Sequence, residues 1–111
     1  MLKSDGFIDF ENSAKFLHNR IRGVWPWPGG SAIYVSRETG KKQNVTIALT
    51  EVVKAESKLE PGSFDKNLNV VCGKDALKIV KIKPEGSRLM DFRDFINGRG
   101  VKPNDKLLKR T

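Results

Sequence analysis

The apolar positions of this chain change period twice, from helical to alternating and back to helical. Ala14, Leu17, His18, Ile21 and Trp25 recur three or four residues apart and predict an amphipathic helix, with Lys15, Asn19 and Arg22 on its polar side. Asn12 or Ser13 can cap that helix, because either side-chain oxygen can accept from a free first-turn N–H. At Gly23 the pattern stops and Trp25-Pro26-Trp27-Pro28 follows, closed by Gly29-Gly30. Each proline fixes its own φ and biases the preceding residue towards extended geometry, so the stretch reads as a stiff bridge before a reversal. Its two indoles can cover a small core or offer a flat face to a ligand; their large apolar area assigns them mainly to the fold.

After the glycine pair the text alternates. Ala32–Val35 is a short apolar run, Arg37-Glu38-Thr39-Gly40-Lys41 is turn-rich, and Val45, Ile47 and Leu49 alternate with Thr46, Ala48 and Thr50 as in a half-buried strand. Val52 and Val53 extend it. Glu60-Pro61-Gly62 signals a turn. Residues 68–72 predict another strand, with Gly73-Lys74-Asp75 as its hairpin link. In residues 76–83 the inward parity switches from Leu77 and Ile79 to Val80 and Ile82, which predicts a β-bulge and leaves Lys78, Lys81 and Lys83 outside. Pro84-Glu85-Gly86 turns the chain. Ser87 then caps a last helix with Leu89, Phe92, Phe95 and Ile96 facing inward and Asn97-Gly98 as its stop. The tail is weakly patterned, with Leu107 and Leu108 tucking under the sheet. Before the first helix, Phe7, Ile8 and Phe10 form a short arm that packs down. Four or five short strands flanked by an N-terminal and a C-terminal helix predict a mainly β fold, a small barrel.

Length and charge sharpen this picture. The 111 residues suffice for one core, so residues 1–111 are expected to form a single domain. No apolar run approaches the ~20 residues of a membrane helix, and the N-terminus lacks the apolar stretch of a signal peptide; the chain reads as cytoplasmic. The formal net charge is +8, and it is unevenly spread. Residues 1–65 carry 9 basic and 8 acidic side chains, whereas residues 66–111 carry 12 basic and 5 acidic. Such lopsidedness fits a face that binds a polyanion, RNA above all, through phosphate neutralisation.

Catalytic chemistry is hard to find. The lone Cys72 excludes an internal disulfide and a cysteine zinc cluster, and it reads as a buried strand-end thiol. His18, the only histidine, falls on the apolar stripe, where a hydrogen-bonded core residue is the expected role. There is no phosphate-binding glycine loop, no metal-ligand spacing and no nucleophile triad. Asp91 and Asp94 suit the first turn of the last helix electrostatically. No catalytic residue and no metal ligand is assigned, and the chain does not read as an enzyme.

Five short strings in order carry a resemblance. Ile21-Arg22-Gly23-Val24-Trp25-Pro26-Trp27-Pro28-Gly29-Gly30 resembles the "IRAxxPWPGA" segment in the C-terminal domain of methionyl-tRNA formyltransferases. Asp5–Asp9 resembles "DGxIDW", Ala76–Ile82 "ALxILxLQ", Pro84–Met90 "PxGKKxM", and Asp94–Arg99 "DFLNGR". The chain departs from these patterns at Lys83 in place of Gln, at Ser87 in place of the first Lys of "GKK", and at Gly23 in place of Ala. The resemblance implies an OB-like barrel that follows a separate catalytic domain. That domain would supply the 10-formyltetrahydrofolate site, so this chain is expected to bind no cofactor itself. It implies a partner catalytic domain, in cis or in trans, and initiator tRNA as a ligand held on a basic surface. Lys78, Lys81, Lys83, Arg88 and Arg99 are the expected phosphate contacts, with Arg20 and Arg22 secondary. The alternative is a docking domain of a formyltransferase that acts on a nucleotide sugar or another small substrate.

Overall fold

The computed structural model describes residues 2–110. A 3-10 turn, Lys3–Gly6, and helix α1, Ala14–Val24, precede strands β1, Gly30–Val35, and β2, Lys42–Val53. Then come β3, Val70–Val71, β4, Ala76–Pro84, β5, Met90–Asp91, helix α2, Phe92–Arg99, and β6, Lys106–Lys109. The strands lie in the order β3-β4-β2-β1-β6, with β5 also on β4, and every strand pair is antiparallel. This is the mainly β barrel with an N-terminal and a C-terminal helix that the sequence predicts, with six strands where four or five were expected.

Closure comes from a segment without any periodic signature, Gly62–Phe64. On one side Leu107 N–H donates to Gly62 O at 2.7 Å and Phe64 N–H to Asp105 O at 2.8 Å. On the other, Gly62 N–H donates to Val71 O at 2.7 Å and Val71 N–H to Ser63 O at 2.9 Å. The edges of β6 and β3, which would otherwise expose unpaired backbone groups, are thereby joined. The weakly patterned tail is accordingly strand β6, with Leu107 buried inside and Leu108 left 40% exposed outside.

The parity switch in β4 is a pair of compensating irregularities. Ile47 pairs with Ile82 and Leu49 with Lys81, which skips Ala48; Thr50 then pairs with Ile79, which skips Val80. Each extra residue turns the following side chains over. Leu49, expected on the apolar side, therefore emerges 43% exposed, and Thr50 is buried in its stead. The predicted strand at 68–72 shortens to Val70–Val71, since Leu68 takes φ +60° and leaves the extended region. The Gly73–Asp75 link does form a hairpin between β3 and β4, with Cys72 N–H donating to Asp75 O at 3.0 Å.

α1 follows its sequence pattern. Ser13 is the N-cap, its hydroxyl accepting from Phe16 N–H at 3.2 Å, and Ala14, Leu17, Ile21 and Val24 are buried. His18 Nδ1 forms a 2.9 Å hydrogen bond with Thr50 Oγ1, the core-histidine role expected. The Trp-Pro stretch departs from expectation. It folds as a turn closed by Gly29 N–H donating to Val24 O at 2.8 Å, and it leaves Trp25 half-buried but Trp27 61% exposed. Trp27 therefore adds little to the core. The N-terminal arm crosses beside it so closely that a Cβ on Gly6 would sit 1.9 Å from Gly29 O.

α2 begins later and ends later than its signals suggest. Ser87 does not cap it; the chain first pairs Met90 and Asp91 with β4, and the helix starts at Phe92 with Asp91 as N-cap. Leu89 lies before the helix and is 41% exposed. The stop is Gly100 in the left-handed conformation, φ +66°, where a glycine carries no Cβ penalty, rather than Asn97-Gly98. Phe92 and Phe95 enter the core, Phe92 against Phe64 at 5.9 Å between ring centroids and Phe95 against Tyr34 at 5.4 Å.

Candidate nucleic-acid interface

The expected cations do not form one face. Lys81, Arg88 and Arg99 meet in a concavity of about 450 Å³ beside the start of α2, together with Leu89, Met90, Asp91 and Asp94. β4 positions Lys81 outward opposite Asp91 of β5, the turn after β4 brings Arg88 across, and the last turn of α2 delivers Arg99. Two carboxylates thus share the site with three cations, so its excess charge is smaller than the linear count suggests.

Lys83 continues outward along β4 opposite Thr46, and it is exposed. Lys78, near the start of the strand, stands 3.9 Å from Glu51 on β2, with both side chains more than half exposed. An ion pair of that length in solvent is worth little and leaves the ammonium available. Arg20 and Arg22 lie elsewhere, on α1. Arg20 donates to the Asp5 backbone carbonyl at 2.5 Å and lines a hollow with Phe7, Phe16 and Lys109, so it ties the helix to the N-terminal arm. Arg22 is exposed on the same helix, apart from the β4 cations.

Arg99 is oriented by the protein itself. Its Nε donates to Gln43 Oε1 at 2.7 Å, and its guanidinium carbon sits 5.5 Å from the Phe95 ring centroid. That uses one of five N–H donors and leaves the outer edge of the fork for an anion. Arg99 also forms a wall of a second concavity, about 570 Å³, between the β1–β2 turn and the end of α2. Lys41, Lys42 and Lys102 line it, with Glu38 as its only carboxylate. Sequence reasoning missed these lysines: Lys41 and Lys42 belong to the charge-balanced half of the chain, and Lys102 to the weakly patterned tail. Glu38 accepts from Lys102 Nζ at 2.7 Å, which holds the Lys102 ammonium above its ordinary pKa.

The walls of this second concavity are fixed by one buried carboxylate. Asp105 accepts from the Tyr34 hydroxyl at 2.5 Å and from the Arg37 and Lys102 backbone N–H groups, each at 2.9 Å. β1, the β1–β2 turn and the segment after α2 are joined there. Burial, followed by the hydrogen bond to Asp105, pushes the Tyr34 phenol well above its usual range.

Little else is arranged for chemistry. Burial pushes the Cys72 thiol up to about 12, so it is neither thiolate nor nucleophile at neutral pH. Among the described residues, no group of three or more His, Cys, Asp or Glu is placed to hold a metal ion. Nor, among them, is any helix long and apolar enough to cross a membrane.

Comparison with known proteins matches the model of the family described as "Formyl transferase, C-terminal domain" to residues 1–100. The chain belongs to that family. Among its relatives is the methionyl-tRNA formyltransferase of Solibacter usitatus (strain Ellin6076), 34% identical over 107 residues, which are 95% of this chain and 32% of that protein. The methionyl-tRNA formyltransferase of Koribacter versatilis (strain Ellin345) is 38% identical over 109 residues, 95% of this chain and 32% of its own length. That of Caldanaerobacter subterraneus subsp. tengcongensis is 38% identical over 110 residues, 96% and 33% respectively. This formyl transferase C-terminal domain thus spans about a third of the length of the curated relatives it matches. The family match covers β1 to β5, both helices and the Trp-Pro turn between α1 and β1, and ends before β6.

Proposed function

We propose that the chain is the non-catalytic C-terminal domain of a methionyl-tRNA formyltransferase and contributes a basic surface that holds tRNA. The observation that carries this reading is the convergence of Lys81, Arg88 and Arg99 from three elements, with Lys83 and Lys78 continuing along β4, in a domain whose relatives are named for a tRNA substrate. Surface cations attract the phosphate backbone by displacing condensed counterions, which gives affinity without sequence reading. Formyl transfer and 10-formyltetrahydrofolate binding belong, on this reading, to a catalytic domain joined in cis or supplied in trans, and the setting is the cytoplasm. Arg20, tied to the N-terminal arm, and Arg22 are peripheral to this surface.

The test is the Lys81→Glu, Lys83→Glu double variant. Both residues are exposed on the outer face of β4, so the thermal midpoint should stay within a few degrees while retention of labelled initiator tRNA is lost. Equal retention by the variant would remove β4 from the binding surface. If the unaltered domain retains no tRNA even at low salt, the nucleotide-sugar docking reading takes its place.

A further inference from the structure

β4 is paired with β2 along one edge, but on its other edge the partners break off in the middle. β3 answers Ala76 and Leu77, β5 answers Lys81 and Ile82, and Lys78, Ile79 and Val80 between them face no strand. Among the described residues, no backbone hydrogen bond outside the β2–β4 ladder reaches these three. Both neighbours turn away there, each for its own reason. Continuing the β3 register would set Asn69 opposite Lys78 and Leu68 opposite Ile79. Instead Leu68 takes φ +60°, a costly conformation for a bulky side chain. Asp65 holds it there. Its carboxylate accepts from the Asn67 and Asn69 N–H groups at 2.9 and 3.0 Å, its N–H donates to Asn69 O at 2.9 Å, and its carbonyl accepts from Leu68 N–H at 2.9 Å. Asn69 thus has its N–H and its C=O committed inside this loop. On the far side, the next pair in the β5 register would be Phe92 with Val80, but Phe92 opens α2 and coils away.

The two departures leave a groove of about 810 Å³ between β4 and α2. Half-buried Leu68, Val80 and Ile96 give it an apolar floor, and the exposed amides of Asn67 and Asn97 stand at its rim. Its charges cancel, Lys78 and Arg93 against Glu51 and Asp91. In a chain of net charge +8, such a balanced site is not one that draws a polyanion. A strand edge is ordinarily covered or blunted. Here a straight continuation of β3 would cover it, and the chain adopts a left-handed leucine instead. Three open strand residues span roughly 10 Å, and what they offer a ligand is amide N–H and C=O in strand register, the chemistry that recognises another backbone. We infer that this break is a docking groove for an extended peptide segment of a partner protein. The segment adds a short strand to β4 between β3 and β5 and seats one apolar side chain on Leu68, Val80 and Ile96. Lys81 and Lys83, ascribed above to tRNA, lie beyond the break.

The probes are capped pentapeptides, acetyl-Thr-Thr-Xaa-Thr-Thr-amide with Leu, Ile, Phe or Ser at the centre, titrated into the isotope-labelled intact chain and followed by amide NMR shifts. The apolar-centred peptides should shift the Lys78, Ile79 and Val80 amides saturably, and the serine peptide should bind roughly tenfold more weakly than the best of them. Methylating the backbone nitrogen of the central residue, or that of the next one, should weaken binding at least about fivefold in one case and leave it unchanged in the other, because alternate N–H groups of an added strand face β4. Asn97→Phe, at an exposed position of α2, should fill the groove and abolish the shifts, with a thermal midpoint within a few degrees of wild type. No saturable shift at these amides with any apolar-centred peptide at millimolar concentration would overturn the docking groove. Equal tolerance of methylation at both nitrogens would overturn strand addition. The same amides moving with the chain's own concentration, or with a single-stranded RNA but none of the peptides, would overturn the peptide assignment in favour of that occupant. None of these outcomes alters tRNA retention, which the Lys81→Glu, Lys83→Glu variant reads separately.

Discussion

Removing the carboxylate of Asp105 should cost more stability than any other polar truncation in this domain. The side chain is 2% exposed and accepts three hydrogen bonds, from the Tyr34 hydroxyl and the Arg37 and Lys102 backbone amides. In Asp105→Ala all three donors lose their partner at once. Hydrogen bonds to a charged acceptor contribute about 1.5–3 kcal/mol each, and a shared network is less than additive, so the expected loss is about 3–5 kcal/mol. That is a large share of the 5–15 kcal/mol typical of a whole domain, roughly. Asp105→Asn keeps the shape but turns an amide N–H₂ towards one of the donors, for a loss of about 1.5–3 kcal/mol. Tyr34→Phe removes a single bond and should cost about 1–2 kcal/mol. Urea unfolding followed by tryptophan fluorescence reads the series. At a denaturant slope near 2 kcal/mol/M, the alanine variant should unfold at about 2 M less urea than wild type. An alanine variant within about 1 kcal/mol of wild type, or no worse than Tyr34→Phe, would refute the three-bond reasoning.

Two glycines offer opposite signs. Nothing lies within 4 Å of a Cβ built on Gly23, an exposed position in α1, so Gly23→Ala should stabilise by about 0.5–1 kcal/mol. Gly6→Ala would drive its methyl into the Gly29 carbonyl and should cost at least about 2 kcal/mol, read by the same urea titration. Cys72 should resist alkylation by iodoacetamide at pH 8 in the native state and react within minutes in denaturant. Because the folded state holds the Cys72 proton more tightly than the unfolded chain, stability should fall as pH rises from the ordinary thiol value towards about 12. A thiol that reacts equally fast folded and unfolded would contradict its burial.

The parts legible in the sequence are those whose signal is both local and periodic. α1 announces itself by a 3.6-residue apolar stripe and a serine cap, and the bulge in β4 by two hydrophobic pairs of opposite parity. The matching irregularity in β2 left no trace, because Ala48 and Leu49 fit an alternating pattern as well as a broken one. α2 was displaced because the turn at Pro84–Gly86 places a good capping residue, Ser87, where a helix could start; the pairing of Met90 and Asp91 with β4 is a tertiary choice that overrides it. Gly62–Phe64 carries single bridges rather than a strand, so the closure of the barrel had no pattern to read. The grouping of cations around the two hollows is only partly legible. Lysines on one strand can be counted, but Lys41 and Lys42 come beside Arg99 only through the β1–β2 hairpin and the packing of Phe95, which no count along the chain contains.

The central claim is tested most directly by anisotropy of labelled initiator tRNA titrated with the intact chain across salt, with a sugar nucleotide as the parallel ligand. The account predicts binding of the tRNA whose log affinity falls linearly with log salt, at a slope set by the phosphates engaged, and no response to the sugar nucleotide. A flat salt dependence, or tRNA left unbound at low salt, would contradict it.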